Sequence, residues 1–168
     1  MPKIDYETEI NKATWLYADQ RDPERAKQNL SDAARIVRAI LSHWPDDYDA
    51  NSLMGALLTD LGEPDEAIAH LDRAIRIDPS DALAYGHKVS ALWDKGDLIG
   101  AEQCARKQLS LSDPTAEEHY LDVDSLAAIL ERLGRWDEAE QVLQQGVNAT
   151  NSEFLRQRLS AVQRQEMR

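Results

Sequence analysis

The sequence is poor in the residues that mark several common protein classes. Cys104 is the one cysteine, which excludes an internal disulfide framework and makes a reducing compartment the expected setting. A single phenylalanine and the lack of Val and Ile runs argue against a large β-sheet. No apolar run approaches the roughly 20 residues that span a bilayer, and the first residues, MPKIDYETEINK, lack the apolar segment of a secretory signal. We therefore expect a cytoplasmic protein without membrane insertion.

Positive charge is also scarce. The chain has 19 Lys and Arg residues against 31 Asp and Glu residues, which gives a net charge of −12. Nucleic acids and anionic membranes need a positive surface on their partner, so neither is an expected partner. Solubility of a protein with a large exposed area would also explain this charge.

The stretch 48–81 predicts two short amphipathic helices. Gly62 separates them at a position where a residue with positive φ usually ends a helix, and Pro64 suits the first turn of the second helix. Apolar residues follow a helical spacing on both sides of the glycine: Leu53, Met54, Leu57, Leu58 and Leu61 before it, and Ala67, Ile68, Leu71, Ala74 and Ile75 after it.

The same plan returns downstream at regular intervals. Gly62, Gly96 and Gly134 are 34 and 38 residues apart, and Ala67, Ala101 and Ala139 repeat both intervals. The four extra residues of the longer interval lie around 114–117, and we predict that they lengthen the following helix by one turn at its start. Asn151-Ser152 predicts the N-cap of a closing helix that runs from Glu153 to about Glu166.

A helix–turn–helix period of 34 residues, with small residues at fixed places, resembles the tetratricopeptide repeat (TPR). The resemblance is strong over 48–150. In 48–81, the large–small–large and small–large–small triplets and the terminal proline of the repeat are matched by Met54, Gly55, Leu58, Ala67, Leu71, Ala74 and Pro79. The next unit departs from the pattern at Lys88, Val89 and Gln108, and 14–47 resembles a degenerate repeat in which Gln28 replaces the turn glycine.

The resemblance implies an all-α fold, a right-handed superhelical stack of antiparallel helix pairs (a TPR-like α-solenoid) with a C-terminal capping helix. We expect one domain over 1–168. Its parts are a degenerate first helix pair (1–47), a repeat (48–81), a repeat with a short insertion (82–119), a repeat (120–150) and the capping helix (151–168).

No constellation of residues in the sequence indicates catalysis. The four histidines show no metal-ligand spacing with each other or with Cys104, and no histidine is close to Cys104 to act as its base. Most Asp/Glu pairs precede or open helices, where capping and the helix dipole explain them. We therefore expect no enzyme, no cofactor and no metal site.

The resemblance also implies a concave groove lined by the first helix of each pair. Leu53, Leu83, Gly86, Leu121, Ser125 and Arg132 belong to this set, and the candidate binding residues within it are Asp49, Ser52, Ala56, Thr59, Asp60, His87, Ser90, Trp93, Asp94, Asp124, Ala128 and Glu131. Family members that clamp a terminal carboxylate of a chaperone tail use Lys, Asn and Arg at such positions. Because acids and small residues stand here instead, we expect no such clamp.

These positions favour a non-catalytic adaptor that binds a peptide or a helix of a partner protein, in particular a basic or aromatic-bearing segment. The opposite interpretation of the groove is that Trp93 packs between neighbouring pairs and the acids are merely solvated. Two other functions also stay open. One is a self-assembling structural repeat protein, for which a weak homo-oligomer would be the sign, and the other is a secretion-type chaperone or regulatory subunit.

Overall fold

The computed structural model describes residues 5–19, 23–116 and 119–166. These ranges contain nine α-helices and no strand: α1 (Tyr6–Ala18), α2 (Pro23–Leu41), α3 (Tyr48–Asp60), α4 (Pro64–Ile77), α5 (Ala82–Lys95), α6 (Leu98–Leu111), α7 (His119–Arg132), α8 (Trp136–Thr150) and α9 (Glu153–Glu166). The expected closing helix is confirmed as α9. Because Asp22 directly precedes Pro23, the sequence predicts it as the N-cap of α2, and this residue lies outside the described ranges.

The chain divides into two compact units, residues 1–95 and 96–168, which are described separately below. The first unit contains α1 to α5 and the second contains α6 to α9. The arrangement of the whole chain as a single domain stays a prediction.

In the first unit, each helix packs against the next, and α3 also contacts α1 and α5. The apolar stripes face one continuous core that includes Leu30, Ile36, Val37, Ile40, Met54, Leu57, Leu58 and Leu71. Leu53 and Leu61 were predicted for this inner face but are only partly buried at its margin. The packing explains why the helices need each other, because no single helix hairpin can bury its apolar stripe alone.

The α3–α4 hairpin shows how local sequence chemistry sets the helix ends. Asp47 caps α3 by accepting a hydrogen bond from the Ala50 amide at 2.8 Å. Gly62 follows the end of α3 and has a φ of 78°, which confirms the predicted left-handed turn. Pro64 is the first residue of α4, and the carboxylates of Asp65 and Glu66 in its first turn interact favourably with the helix dipole.

Small residues allow the helices to approach closely at two crossings. A Cβ atom on Gly55 would lie 2.3 Å from Cγ of Leu71, so α3 and α4 could not pack in this way with any larger residue. In the second unit, a Cβ atom on Gly146 would lie 2.5 Å from Cγ1 of Val123 and 2.8 Å from Cδ1 of Leu155. Both glycines hold the positions that the repeat reserves for small residues.

The second unit is closed by α9, which packs against α8 and α7. Ser152 caps this helix through the Leu155 amide, whereas Asn151 ends α8 in the left-handed conformation at φ 53°. Leu155 and Val162 of α9 are fully or almost fully buried, and Leu159 is 8% exposed. The apolar residues of α9 are few, but they complete the core of this unit.

The prediction that the four-residue insertion lengthens α7 is wrong. The described residues 112–116 form a turn, and α7 has 14 residues, the same length as α5. Pro114, Thr115 and Ala116, three of the four extra residues, therefore lie in the connection after α6. A turn is favoured here because Asp113 accepts hydrogen bonds from the backbone amide and the hydroxyl of Thr115, both at 2.8 Å.

Two of the residues that depart from the repeat pattern make polar contacts between helices. Lys88 of α5 binds Asp72 of α4 at 2.5 Å. Gln108 of α6 donates a hydrogen bond to Asp122 of α7 at 2.6 Å. These positions thus contribute directional contacts where the repeat usually places apolar packing.

Candidate functional site

The first unit contains an open groove of about 460 Å³, formed by one face each of α1, α3 and α5. Twelve side chains line it: Ile10, Asn11, Thr14 and Tyr17 of α1; Tyr48, Asp49, Ser52, Leu53 and Ala56 of α3; Asp81, which precedes α5; and Leu83 and His87 of α5. Residues three and four apart lie on the same face of a helix, so each helix contributes a continuous row.

The groove combines an apolar floor with acidic groups. Leu83 is 60% exposed although it is a large aliphatic residue, and Leu53 and Ile10 are only partly buried beside it. Asp49 and Asp81 add two carboxylates, whereas the lining contains no Lys or Arg. Exposed aliphatic groups next to unopposed carboxylates favour a ligand that is partly apolar and positively charged.

Tyrosine–aspartate contacts hold the three lining helices side by side. The hydroxyl of Tyr6 donates to Asp47 at 2.8 Å, and that of Tyr48 donates to Asp81. Tyr17 donates to Asp60 at the other end of α3, and burial together with this carboxylate raises the pKa of Tyr17 to about 12. These contacts fix the separation of the helices, and hence the width of the groove.

His87 is the one imidazole in the lining. Burial lowers its pKa below the usual value of 6.5, and the charges of Asp60 and Asp81 oppose this effect without cancelling it. The imidazole is therefore neutral at pH 7. A neutral imidazole carries one hydrogen-bond donor and one acceptor, so His87 adds a polar group to the lining without adding charge.

The structure brings six of the candidate groove residues together in this lining, namely Asp49, Ser52, Leu53, Ala56, Leu83 and His87. Ser90 and Asp94 continue the row of His87 along α5 and are exposed. Asp60 lies at the end of α3 beside Tyr17. Thr59 is buried instead, and its hydroxyl donates to the Gly55 carbonyl at 2.9 Å. Trp93 holds the same register as Thr59, is 36% exposed and does not line the groove.

The contribution of α1 was missed by the sequence reasoning, which took the groove only from the regular repeats. Ile10, Asn11, Thr14 and Tyr17 line one wall. Their spacing of three and four residues is the signal that could have identified them.

In the second unit, Arg158 already neutralises the predicted acids. Its guanidinium contacts Asp124 at 2.6 Å and Glu131 at 2.7 Å, and the third candidate, Ala128, lies half-buried on the same helix. Burial would lower the pKa of Arg158, but the hydrogen bonds and charges of both acids raise it. A basic ligand would have to displace this internal cation.

A second cluster of charges joins α6 to the start of α8. Arg135 contacts both Glu102 and Glu138 at 2.5 Å, and Arg106 contacts the same two carboxylates. Burial would raise the pKa of Glu102, but the hydrogen bonds from Arg106 and Arg135 outweigh it and hold that pKa below its ordinary value. Every charge in this cluster has a partner, so we assign it to helix packing.

Neither a metal centre nor a membrane span is found in the described ranges. Nowhere in those ranges do three His, Cys, Asp or Glu residues gather in a way that could hold an ion. Each described helix is also too short or too polar to pass through a bilayer.

Comparison with solved structures places the fold among helical repeat proteins. MamA resembles this chain with a TM-score of 0.74 and 20% identity over 89% of this chain and 86% of its own. YrrB, described as a TPR protein with an unusual peptide-binding site, has a TM-score of 0.64 and 20% identity over 79% and 67%. The O-GlcNAc transferase of Thermobaculum terrenum has a TM-score of 0.69 and 18% identity, but the likeness covers 88% of this chain and only 27% of the enzyme.

Sequence comparison identifies the repeats themselves. No curated protein matches the chain in sequence. Two tetratricopeptide repeat models match it, one over residues 17–88 and one over residues 123–153. These matches, the glycine-punctuated helix hairpins and the neighbouring structures confirm the predicted all-α, TPR-like solenoid fold, which in general serves as a non-catalytic scaffold for protein interactions. The chain belongs to the tetratricopeptide repeat family.

Proposed function

We propose that this chain is a non-catalytic adaptor and that the groove of its first unit binds a positively charged segment of a partner protein. The observation that carries the proposal is the composition of the groove: exposed Leu83, carboxylates at Asp49 and Asp81, and no lining cation. The nearest lysines of α5 do not change this balance, because Lys88 and Lys95 contact Asp72 and Asp65.

The proposal can be tested by fluorescence anisotropy with labelled peptides. We expect the full chain to bind a peptide that contains lysine and leucine, and to bind the same peptide with glutamate in place of lysine much more weakly. Asp49→Asn removes one surface charge and should weaken binding about 2- to 5-fold. Leu83→Ser removes apolar contact area and should weaken it about 10-fold.

Matched controls separate the groove from the rest of the surface. Asp46→Asn removes another exposed acid, from the turn before α3, and Ile99→Ser removes an aliphatic side chain of α6 that is 57% exposed, close to the 60% of Leu83. Neither variant should change the affinity. Tight ligands that are uniformly acidic, or groove variants that bind as well as the unmodified chain, would refute the proposal.

The self-assembly alternative predicts a different result. Light scattering at several protein concentrations would then show a mass that rises with concentration, and soluble peptides would compete with the association. A mass equal to that of a monomer at every concentration would exclude self-assembly, and the adaptor function would remain.

A further inference from the structure

The helices α3 and α5 carry acidic residues at both ends. Asp49 and Asp81 line the groove itself, and Asp60 lies close to two lining residues, Tyr17 and His87. Asp49 lies in the first turn of α3 and Asp60 at its last residue, while Asp81 precedes α5 and Asp94 is its penultimate residue. Leu53 and Leu83 lie in the lining between these ends. A ligand that satisfies both ends must therefore carry two positive charges and an apolar group between them.

Helix geometry gives the distance that separates the two ends. Asp49 and Asp60 are eleven residues apart, which at about 1.5 Å per residue separates them by about 16 Å along α3. Asp81 and Asp94 are thirteen residues apart, or about 20 Å along the chain of α5. Eleven residues of helix also return to nearly the same face, so both carboxylates of α3 point toward the same side.

The width of the groove favours an extended occupant over a helical one. Neighbouring helix axes lie about 8 to 10 Å apart, so the axes of α1 and α5, on either side of α3, lie about 16 to 20 Å apart, and with helices about 10 to 12 Å across their surfaces leave a gap of about 4 to 10 Å. A helix with its side chains is about 10 to 12 Å across. An extended strand fits this gap, and it rises about 3.3 Å per residue with alternate side chains on opposite faces.

We infer that the groove recognises an extended segment in which two basic residues, four to six positions apart, flank an aliphatic residue that faces the same side. A spacing of four to six residues spans about 13 to 20 Å, which matches the separation of the acids. An even spacing places both basic side chains and the central aliphatic one on the face toward α3. This inference rests on the proposed function and adds the pattern of the ligand.

The acid at the far end remains able to accept a ligand. Tyr17 donates one hydrogen bond to Asp60, and a carboxylate has about four acceptor positions, so a lysine ammonium can bind there as well. Asp94 is exposed on the neighbouring row of α5. In the second unit, a pair of carboxylates on one helix already holds the guanidinium of Arg158 in this manner.

The test uses four labelled peptides and the full chain. The first is acetyl-Gly-Lys-Ala-Leu-Ala-Lys-Gly-amide, with lysines four apart and leucine midway. The second has the same composition with adjacent lysines, and the third has a single lysine. The fourth is an alanine-rich helical peptide with lysines eleven apart on one face. We expect the first to bind about 5-fold or more tightly than the second and third, and the fourth to bind no better than the third.

Variants at the two ends complete the test. Asp49→Asn and Asp60→Asn should each weaken the binding of the first peptide by about 2- to 5-fold. The double variant should bind the first peptide no more tightly than the unmodified chain binds the single-lysine peptide. Asp60→Asn keeps an oxygen that can accept from Tyr17, so the fold should persist, and circular dichroism checks this. If all basic peptides bind equally and remain sensitive to Leu83→Ser, the spacing inference fails while the proposed function stands. If no basic peptide binds, both fail. If the helical peptide binds most tightly, the extended form is wrong.

Discussion

The crossing of α3 and α4 offers a quantitative test of the fold, because its glycine and its leucine compete for one space. An alanine at position 55 would place Cβ 2.3 Å from Cγ, 2.6 Å from Cδ2 and 3.0 Å from Cδ1 of Leu71. Normal carbon–carbon contacts are about 3.5 to 4.0 Å, so either Leu71 or the helix axis must move by more than 1 Å. Leu71 is fully buried, so it cannot move aside into solvent.

Two opposing effects set the size of the change. Overpacking a filled core costs about 1 to 3 kcal/mol, and the severity of this contact places Gly55→Ala near the upper end. Replacing glycine by alanine within a helix contributes about 1 kcal/mol in the opposite direction. We therefore expect Gly55→Ala to lower the free energy of unfolding by about 1 to 2 kcal/mol.

A double-mutant cycle with Leu71→Ala separates the two effects. Leu71→Ala alone should cost about 2 to 5 kcal/mol because it leaves a cavity. In that background Gly55→Ala should become stabilising by about 1 kcal/mol, since the clash is gone and only the helix propensity remains. The coupling energy should thus be about 2 to 3 kcal/mol.

The measurement is urea unfolding of all four proteins, followed by far-UV circular dichroism. The slopes of the transitions must agree before the midpoints are compared. If Gly55→Ala has the same effect in both backgrounds, the close approach of α3 to α4 does not explain the glycine. Gly62→Ala is the control for backbone strain, because nothing lies within 4 Å of its added Cβ and only the φ of 78° penalises it.

Three further predictions concern charge. Arg158→Ala should lower the free energy of unfolding, measured in urea, by about 1 to 2 kcal/mol, because two carboxylates lose a partly buried partner. Arg156→Ala is the control: its partner Glu153 is 70% exposed, so the change should be less than about 0.5 kcal/mol. The pKa of Tyr17 is about 12 in the folded chain and about 10 in the unfolded chain. Its contribution to stability is therefore complete below pH 10 and is lost as the pH rises toward 12. In a plot of melting temperature against pH, Tyr17→Phe should make the decline at alkaline pH less steep. Burial lowers the pKa of His87, so the groove carries no positive imidazole at neutral pH. Affinity for a basic peptide should fall only when the pH is brought below that lowered pKa and the imidazole is protonated, and His87→Asn should remove that loss.

The helix hairpins could be predicted from the sequence because their ends depend on local chemistry. Gly62 adopts the left-handed turn and Pro64 begins the next helix, whatever lies elsewhere in the chain. The small residues were also predictable, since Gly55 is required by a contact that recurs at a fixed place in each repeat. The location of the four extra residues was not, because a helical period does not distinguish one more turn of helix from a longer connection.

The groove was predictable where the repeat is regular and only there. The rows of α3 and α5 follow from the 34-residue offset that relates Asp49 to Leu83 and Leu53 to His87. The wall formed by α1 was missed because its residues do not keep that offset. The partner of Asp124 was missed for a different reason: Arg158 stands at the same offset of 34 residues, but the sequence reasoning treated its helix as a cap and not as a wall of the groove.

Whether each acid already has a cationic partner matters more for ligand choice than the net charge of −12. Asp124 and Glu131 face Arg158 at 2.6 and 2.7 Å, so they contribute little field to an incoming ligand. Asp49 makes no ion pair within the described residues and lines a groove without cations. Charge that is uniformly solvated would serve solubility alone, whereas carboxylates without a cationic partner beside an exposed Leu83 lose solvation when a neutral peptide covers them. A basic segment compensates for that loss, so the groove should discriminate against neutral and acidic peptides even when their apolar contacts are the same.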